Sequence, residues 1–215
     1  MSSITEAVTT TAPDIASFGA GGQMYMASMY TGFEIRGSKI INPLFAFTRN
    51  DSSPANAAAL TNLDEARKIG STMAFRAYRI GFRIVCFKGG SVPDISTAHA
   101  QKMLLSGASV TLTVGSNETK IAEFSGLDLM QPVDTVSMDS DNANNVTCSN
   151  VGGLGGGIGW IPLQIPIEIQ ANCNVGGVVR FNNTAGINAL APVNESDPAW
   201  YGFVVILQGL KVVKS

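Results

Sequence analysis

The chain's only histidine, His99, stands apart from any serine or cysteine nucleophile pattern. A Ser–His–acid triad, or a zinc site of several histidines, has no basis within one copy, so His99 is expected to be structural or solvated. The run Gly152-Gly153-Leu154-Gly155-Gly156-Gly157-Ile158-Gly159 invites comparison with a phosphate loop. Such a loop needs G-x-G-x-x-G or G-K-[ST] leading into a helix whose amides face the anion. Ile158 occupies the third glycine's place and no Lys-Ser/Thr follows, so a flexible loop or close packing beside Trp160 is expected. Asp139-Ser140-Asp141-Asn142-Ala143-Asn144 opens like a calcium loop, whose oxygen ligands alternate along the chain. Ala143 at the fifth position, Asn144 at the sixth and the lack of a distal glutamate argue against it, unless a neighbouring copy supplies ligands. Nothing singles out a carboxylate pair for glycoside cleavage. The expectation is a chain that is not an enzyme, with no catalytic, cofactor-binding or metal-ligating residues.

Residues suited to recognition are more visible. Arg79 and Arg83 alternate with apolar neighbours, which places them together on one face of a strand. A guanidinium fork there either faces water or pairs with carboxylates of another subunit. Trp160, Trp200 and Tyr201 stand beside loop residues. Aromatics in such places are core, interface anchors or sugar platforms. These five are the candidate assembly residues.

The elements that must position them are strands. In the segment from Met73 to Phe87, Tyr78, Ile80, Phe82, Ile84 and Cys86 fall on one face, and Arg79, Gly81 and Arg83 on the other. Met24–Tyr30 and Phe33–Arg36 read as two strands around a turn or bulge at Thr31-Gly32. Leu44–Thr48 reads as another, closed by the loop residues Asn50-Asp51-Ser52-Ser53-Pro54. Asn62 is positioned to cap a helix over Leu63–Lys68, and Asp94 or Ser96 a second one running to Leu105. Ser109–Val114 and Thr119–Phe124 form a hairpin around Gly115-Ser116-Asn117-Glu118. Gln131–Gly159 has no periodicity and reads as a long loop. Leu163–Gln170 carries Pro166, which belongs at a sheet edge or on the unpaired side of the strand, and turns at Asn172-Cys173-Asn174 into a partner strand, Gly177–Asn182. Trp200–Val213 is nearly continuously apolar, as a strand buried on both faces would be, with Gly209 as a bulge or close approach.

Composition narrows the partners. Only 14% of residues are charged and the net charge is −2, with no cluster of Lys or Arg. Neutralising a nucleic-acid backbone takes several adjacent cations, so no direct nucleic-acid binding is expected. A weakly charged surface suggests that partners cover much of it. Three cysteines, Cys86, Cys148 and Cys173, do not make a closed disulfide set and agree with a reducing cytoplasm. The opening MSSITEAVTTTAPD has no basic start and no apolar core, and no run of 18 apolar residues occurs, so neither a signal peptide nor a transmembrane segment is expected. Asn-x-Ser/Thr triplets at Asn50, Asn117, Asn145, Asn182 and Asn194 are chance matches in so Asn- and Thr-rich a chain. Residues 1–23 read as a flexible N-terminal arm or a frayed terminus, and 24–215 as one domain. Short strands, Gly/Pro turns and no β–α alternation give an all-β antiparallel β-sandwich of about eight strands with one or two short helices.

The arm 1–23, the strand ladder from Met24, the helix Asp94–Leu105 between strands, the late pair Gln164–Gln170 and Val178–Asn182, and the closing Phe203-Val204-Val205-Ile206-Leu207-Gln208-Gly209-Leu210 together resemble jelly-roll capsid proteins of icosahedral viruses. The Gly-, Asn- and Thr-rich texture is most like that of virion proteins of tailless bacteriophages. The resemblance implies a single jelly roll whose copies, with other virion proteins, close a shell by symmetric contacts after assembly in the host cytoplasm. Coats that package RNA often carry a basic arm, whereas residues 1–23 contain no Lys or Arg. That departure points towards a DNA phage, with an internal membrane in contact with the shell or separate proteins facing the genome. Two other classes stay open: a phage spike, vertex or decoration module binding a host glycan or receptor through the 131–159 loop and the edge aromatics, and a carbohydrate-active β-sandwich enzyme.

Overall fold

Alternating apolar side chains build most of the strands, and a computed structural model describes them over residues 22–37, 39–87, 104, 107–115, 117–125, 136–141, 145–150, 160–182 and 184–214. In chain order these are β1 (Gly22–Glu34), β2 (Ile41–Leu44), helix α1 (Ala57–Leu60), β3 (Met73–Cys86), β4 (Ala108–Val114), β5 (Thr119–Ser125), β6 (Val136–Asp141), β7 (Asn145–Asn150), β8 (Trp160–Ile169), β9 (Val175–Phe181), helix α2 (Thr184–Leu190) and β10 (Tyr201–Lys214). Two four-stranded sheets run in the orders β1-β10-β3-β8 and β2-β9-β4-β5, with β6-β7 as a separate two-stranded sheet. The antiparallel partners are nested: β1 with β10, β2 with β9, β3 with β8, and β4 with β5. Further antiparallel ladders, β10 on β3 and β9 on β4, tie these pairs into sheets. The protein is therefore mainly β, as two antiparallel sheets around one core.

That core is clearest at Phe203, whose ring lies 5.6 Å from Phe33 and 5.9 Å from Phe82 in the first sheet, and 5.5 Å from Phe181 in the second. The β4–β5 hairpin forms as expected, with Gly115 at φ 87° in its turn. β10 is a central strand whose first five residues, Tyr201 to Val205, are all buried, so both of its faces are covered there. Gly209 does lie at a register shift, and a Cβ on it would overlap the Arg76 carbonyl. Pro166 lies in β8, an edge strand.

Several expectations are corrected. β1 is one strand, not two: Thr31 and Gly32 continue the ladder opposite Val205 and Val204. Gly32 is required by close approach, because a Cβ there would run into the Phe203 carbonyl. β2 ends at Leu44, where Phe45 turns to φ 59° and donates its amide to Thr31 Oγ1 at 2.7 Å. No helix covers 63–68; the short helix precedes it at Ala57–Leu60. Asn62 instead acts as a strand mimic, its Oδ1 accepting from Tyr30 N at 2.9 Å and its Nδ2 donating to Ser28 O at 2.8 Å. β8 and β9 are not a hairpin; the turn at Asn172, φ 59°, carries the chain from one sheet to the other. A tight hairpin and a sheet-to-sheet corner use the same turn residues, so local chemistry does not separate them.

In β3, Ala77 faces Gly209 and Arg79 faces Gln208, leaving Tyr78 as an extra, bulged residue. Phe75 and Ala77 point inward before it, and Ile80 and Phe82 after it, so the bulge reverses the parity of the strand. Cys86, expected on the same face as Ile80, is exposed at the strand's end. Within 131–159, read as one long loop, residues 136–141 and 145–150 instead pair as a hairpin, with Asp139 and Asp141 in its first strand. Helix α2 is an addition to the expected elements, held by Ile187 and Leu190, both fully buried at i, i+3 spacing. Of the expected helix 94–105 only Leu104, buried and helical, is described; His99, Gly152–Gly159 and residues 1–21 lie outside the described residues.

Candidate functional site

The outer face of the first sheet gathers two of the five candidate residues. β10 brings Gln208 opposite Arg79, and β8 brings Pro162 to its other side with Trp160 two residues away. The Arg79 guanidinium sits 4.7 Å from the centre of the Trp160 ring, and its Nε donates to Gln208 Oε1. Arginine stacked on indole is held both by the ring's negative face and by dispersion. Arg79 is thus engaged within its own chain while remaining exposed. Arg76, on the face opposite Phe75 and Ala77, is buried and ion-paired with Glu168 of β8. Arg83 is exposed further along β3. Trp200 packs against the core and Tyr201 is part of it, its carbonyl accepting from Ile35 N at 2.9 Å. The fold therefore joins Arg79 to Trp160, leaves Arg83 separate, and uses Trp200 and Tyr201 internally.

A surface that the sequence did not single out lies at the sheet edges. Among the described residues the exposed large hydrophobics are Met24, Tyr25, Met26, Ile40, Ile41, Ile121, Ile165 and Val193. All but Val193 fall on, or directly before, the outermost strands: five on the β1/β2 side and two on the β5/β8 side. On the second side, both isoleucines stand where a ladder breaks. In β5, Ile121 is the extra residue between the pairs Leu112–Ala122 and Thr113–Lys120. In β8, the pairs with β3 jump from Pro162 to Ile167, and Ile165 in the intervening excursion is 84% exposed. Between the two strands runs a groove of roughly 530 Å³ lined by Ile121, Phe124, Ile161, Leu163, Ile165 and Pro166, among others. Bulges at an edge spoil indiscriminate strand addition, while the apolar groove still offers area for burial. On the first side, Asn62 occupies the β1 edge at Ser28 and Tyr30, and the exposed trio Met24-Tyr25-Met26 lies ahead of that cap. The signal in the sequence was three consecutive large apolar residues at a strand start, which one-sided burial cannot accommodate.

Electrostatics at the β5 edge are local. Lys120 Nζ lies 2.6 Å from Glu123 Oε2, and this hydrogen bond, with the lysine's charge, lowers the Glu123 carboxyl below its ordinary range. A lowered folded value means that the pair stabilises above the unfolded carboxyl's titration and stops doing so as pH falls through the folded value. The pair is exposed and solvent-screened, so its effect on global stability is expected to be slight. Replacing Lys120 with Ala should return Glu123 to the ordinary carboxylate range, as followed by the side-chain carboxyl signal in an NMR pH titration; an unmoved midpoint would remove Lys120 as the cause.

Among the described residues, no group of three or more His, Cys, Asp or Glu side chains converges, and no helix is long and apolar enough to cross a membrane. The chain matches no protein-family model and no curated protein sequence.

Proposed function

We propose that this chain is a structural protein that assembles with copies of itself through its two apolar edges, built on a single jelly roll and forming the capsid of a virion. The nested pairing β1–β10, β2–β9, β3–β8 and β4–β5, with β6–β7 as an insertion, is the strand order such a roll requires, and it supports the fold part of this reading. The observation that carries the function is that, among the described residues, every exposed large hydrophobic except Val193 lies on one of two opposite sides of the sheets. Two different edges on opposite sides favour a head-to-tail contact, which closes into a ring if the rotation permits and otherwise propagates. Many weak copies of that contact add up once closure makes them mutually dependent. The low charge of the chain, 14%, suits such apolar joining and supplies little for nucleic acid to bind. Other virion proteins would then face the genome, and assembly would take place in the host cytoplasm.

Negative-stain electron microscopy with light scattering, on the full chain across a salt series, tests this. Closed particles or rings of five or six are the expected result. The double variant Ile121→Lys, Ile165→Lys should yield monomers with an unchanged circular dichroism spectrum, since both side chains are exposed and two desolvated ammonium groups cannot be seated in the groove. A wild-type monomer under every condition, or undisturbed assembly in the double variant, would overturn the edge contact.

A further inference from the structure

We infer that the outer face of the second sheet carries a binding groove for an acidic saccharide, whose carboxylate and sulfate groups are held by Arg67 and Lys68 at one end and Arg180 at the other, along a floor of Gly176, Thr111 and Thr113. This goes beyond self-assembly, and its success or failure leaves the edge contact untouched. The groove encloses roughly 580 Å³, within the range of small-ligand sites. Its floor depends on a glycine: Gly176 faces Thr113 across the β9–β4 ladder, and a Cβ on Gly176 would stand 2.8 Å from Thr113 Oγ1. Any side chain there would fill the hollow.

The wall is held in place by backbone bonds. Arg67 adopts φ 56°, a left-handed conformation that a non-glycine residue keeps only where its surroundings impose it. Its amide donates to Phe45 O at 2.8 Å, its carbonyl accepts from Val175 N at 2.9 Å, and Lys68 bridges to Asn174. The chain thus spends a strained residue on placing two cations beside β9, from which Arg180 adds a third.

Among the described residues, the cations of the groove outnumber its anions. Arg36, Arg49, Arg76 and Lys120 each pair with a carboxylate, whereas Arg67, Lys68 and Arg180 have no such partner among the described residues. Among the described residues Glu118 is the one acid on the rim, so three cations less one anion leave a charge of +2 there, in a chain whose net charge is −2. An oxyanion is the matching charge. A saccharide is favoured over a nucleic acid because three cations make no track for a phosphate backbone. Thr111 and Thr113 offer hydroxyls that both donate and accept, which is what sugar hydroxyls need.

Isothermal titration calorimetry on the full chain with a sulfated uronic-acid disaccharide, a neutral disaccharide, inorganic sulfate and a single-stranded oligonucleotide tests the assignment. The acidic disaccharide should bind saturably and more weakly as salt rises, with about a tenfold loss for either Arg67→Gln or Arg180→Gln. Both arginines are exposed, so the variants should melt like the parent; Gly176→Val should block binding by filling the floor. Equal binding by parent and arginine variants, sulfate alone binding as tightly as the disaccharide, preference for the oligonucleotide or the neutral sugar, or no saturable binding would each overturn the proposal.

Discussion

Phe203→Ala is expected to lower the unfolding free energy by about 4 kcal/mol and the midpoint of thermal unfolding by about 10 °C. Phe203 is fully buried and is the ring at which both sheets meet. It stacks on Phe33 at 19°, tilts against Phe82 at 48° and meets Phe181 edge-on at 78°, so its removal strips three rings of a neighbour at once. Each pair contributes beyond its buried area because offset and edge-on rings align opposite parts of their quadrupoles. The hollow left behind is flanked by the two ladders that β10 makes with β1 and β3, which cannot close in without breaking their registers. Urea unfolding of Phe203→Ala beside Phe203→Leu measures this. A loss near 1 kcal/mol for alanine would mean that the two sheets are not joined there.

Gly209→Ala is expected to cost about 3 kcal/mol, at the upper end for a single added methyl. The added carbon would overlap the Arg76 carbonyl and approach Ala77 Cα, at 2.7 Å. Both are backbone atoms in the ladder between the two central strands, so no side chain can rotate out of the way. Relief would require the β10–β3 register to open beside the Tyr78 bulge, where the buried Arg76 and its partner Glu168 also sit. Gly115→Ala is the contrasting substitution: nothing lies within 4 Å of its Cβ, and only the φ of 87° opposes it, at about 1 kcal/mol. Equal losses for the two variants, read from denaturant midpoints at constant m-value, would show that conformational freedom and not close approach governs Gly209.

The two glycines also separate what each kind of argument can see. Gly115 is legible as a turn residue because Val114 and Thr119, five residues apart, already pair around it. Gly209 is legible only as an interruption in an apolar run; the carbonyl that forbids a side chain there belongs to Arg76, more than a hundred residues earlier. The candidate site divides in the same way. Arg79 and Trp160 stand far apart in the chain, and nothing between them announces that the guanidinium lies on the indole. The apolar edges and the cationic groove each draw on strands from both halves of the chain, so neither appears as a motif.

Sequence by itself determined the all-β character, the β4–β5 hairpin, the buried closing strand and the restriction of Pro166 to a sheet edge or an unpaired side of its strand. Each follows from period-two alternation, local turn chemistry or a missing amide donor, which act over a few residues. Only the tertiary structure decided the parity reversal at Tyr78, the capture of the β1 edge by Asn62 thirty-two residues away, and the sending of β8 and β9 to different sheets. The reason is that a strand's own pattern states which of its faces is apolar but not which strand it will lie beside. Pairing partners are selected by packing the whole set of apolar faces into one core, and the edges left over after that selection are the surface available for assembly.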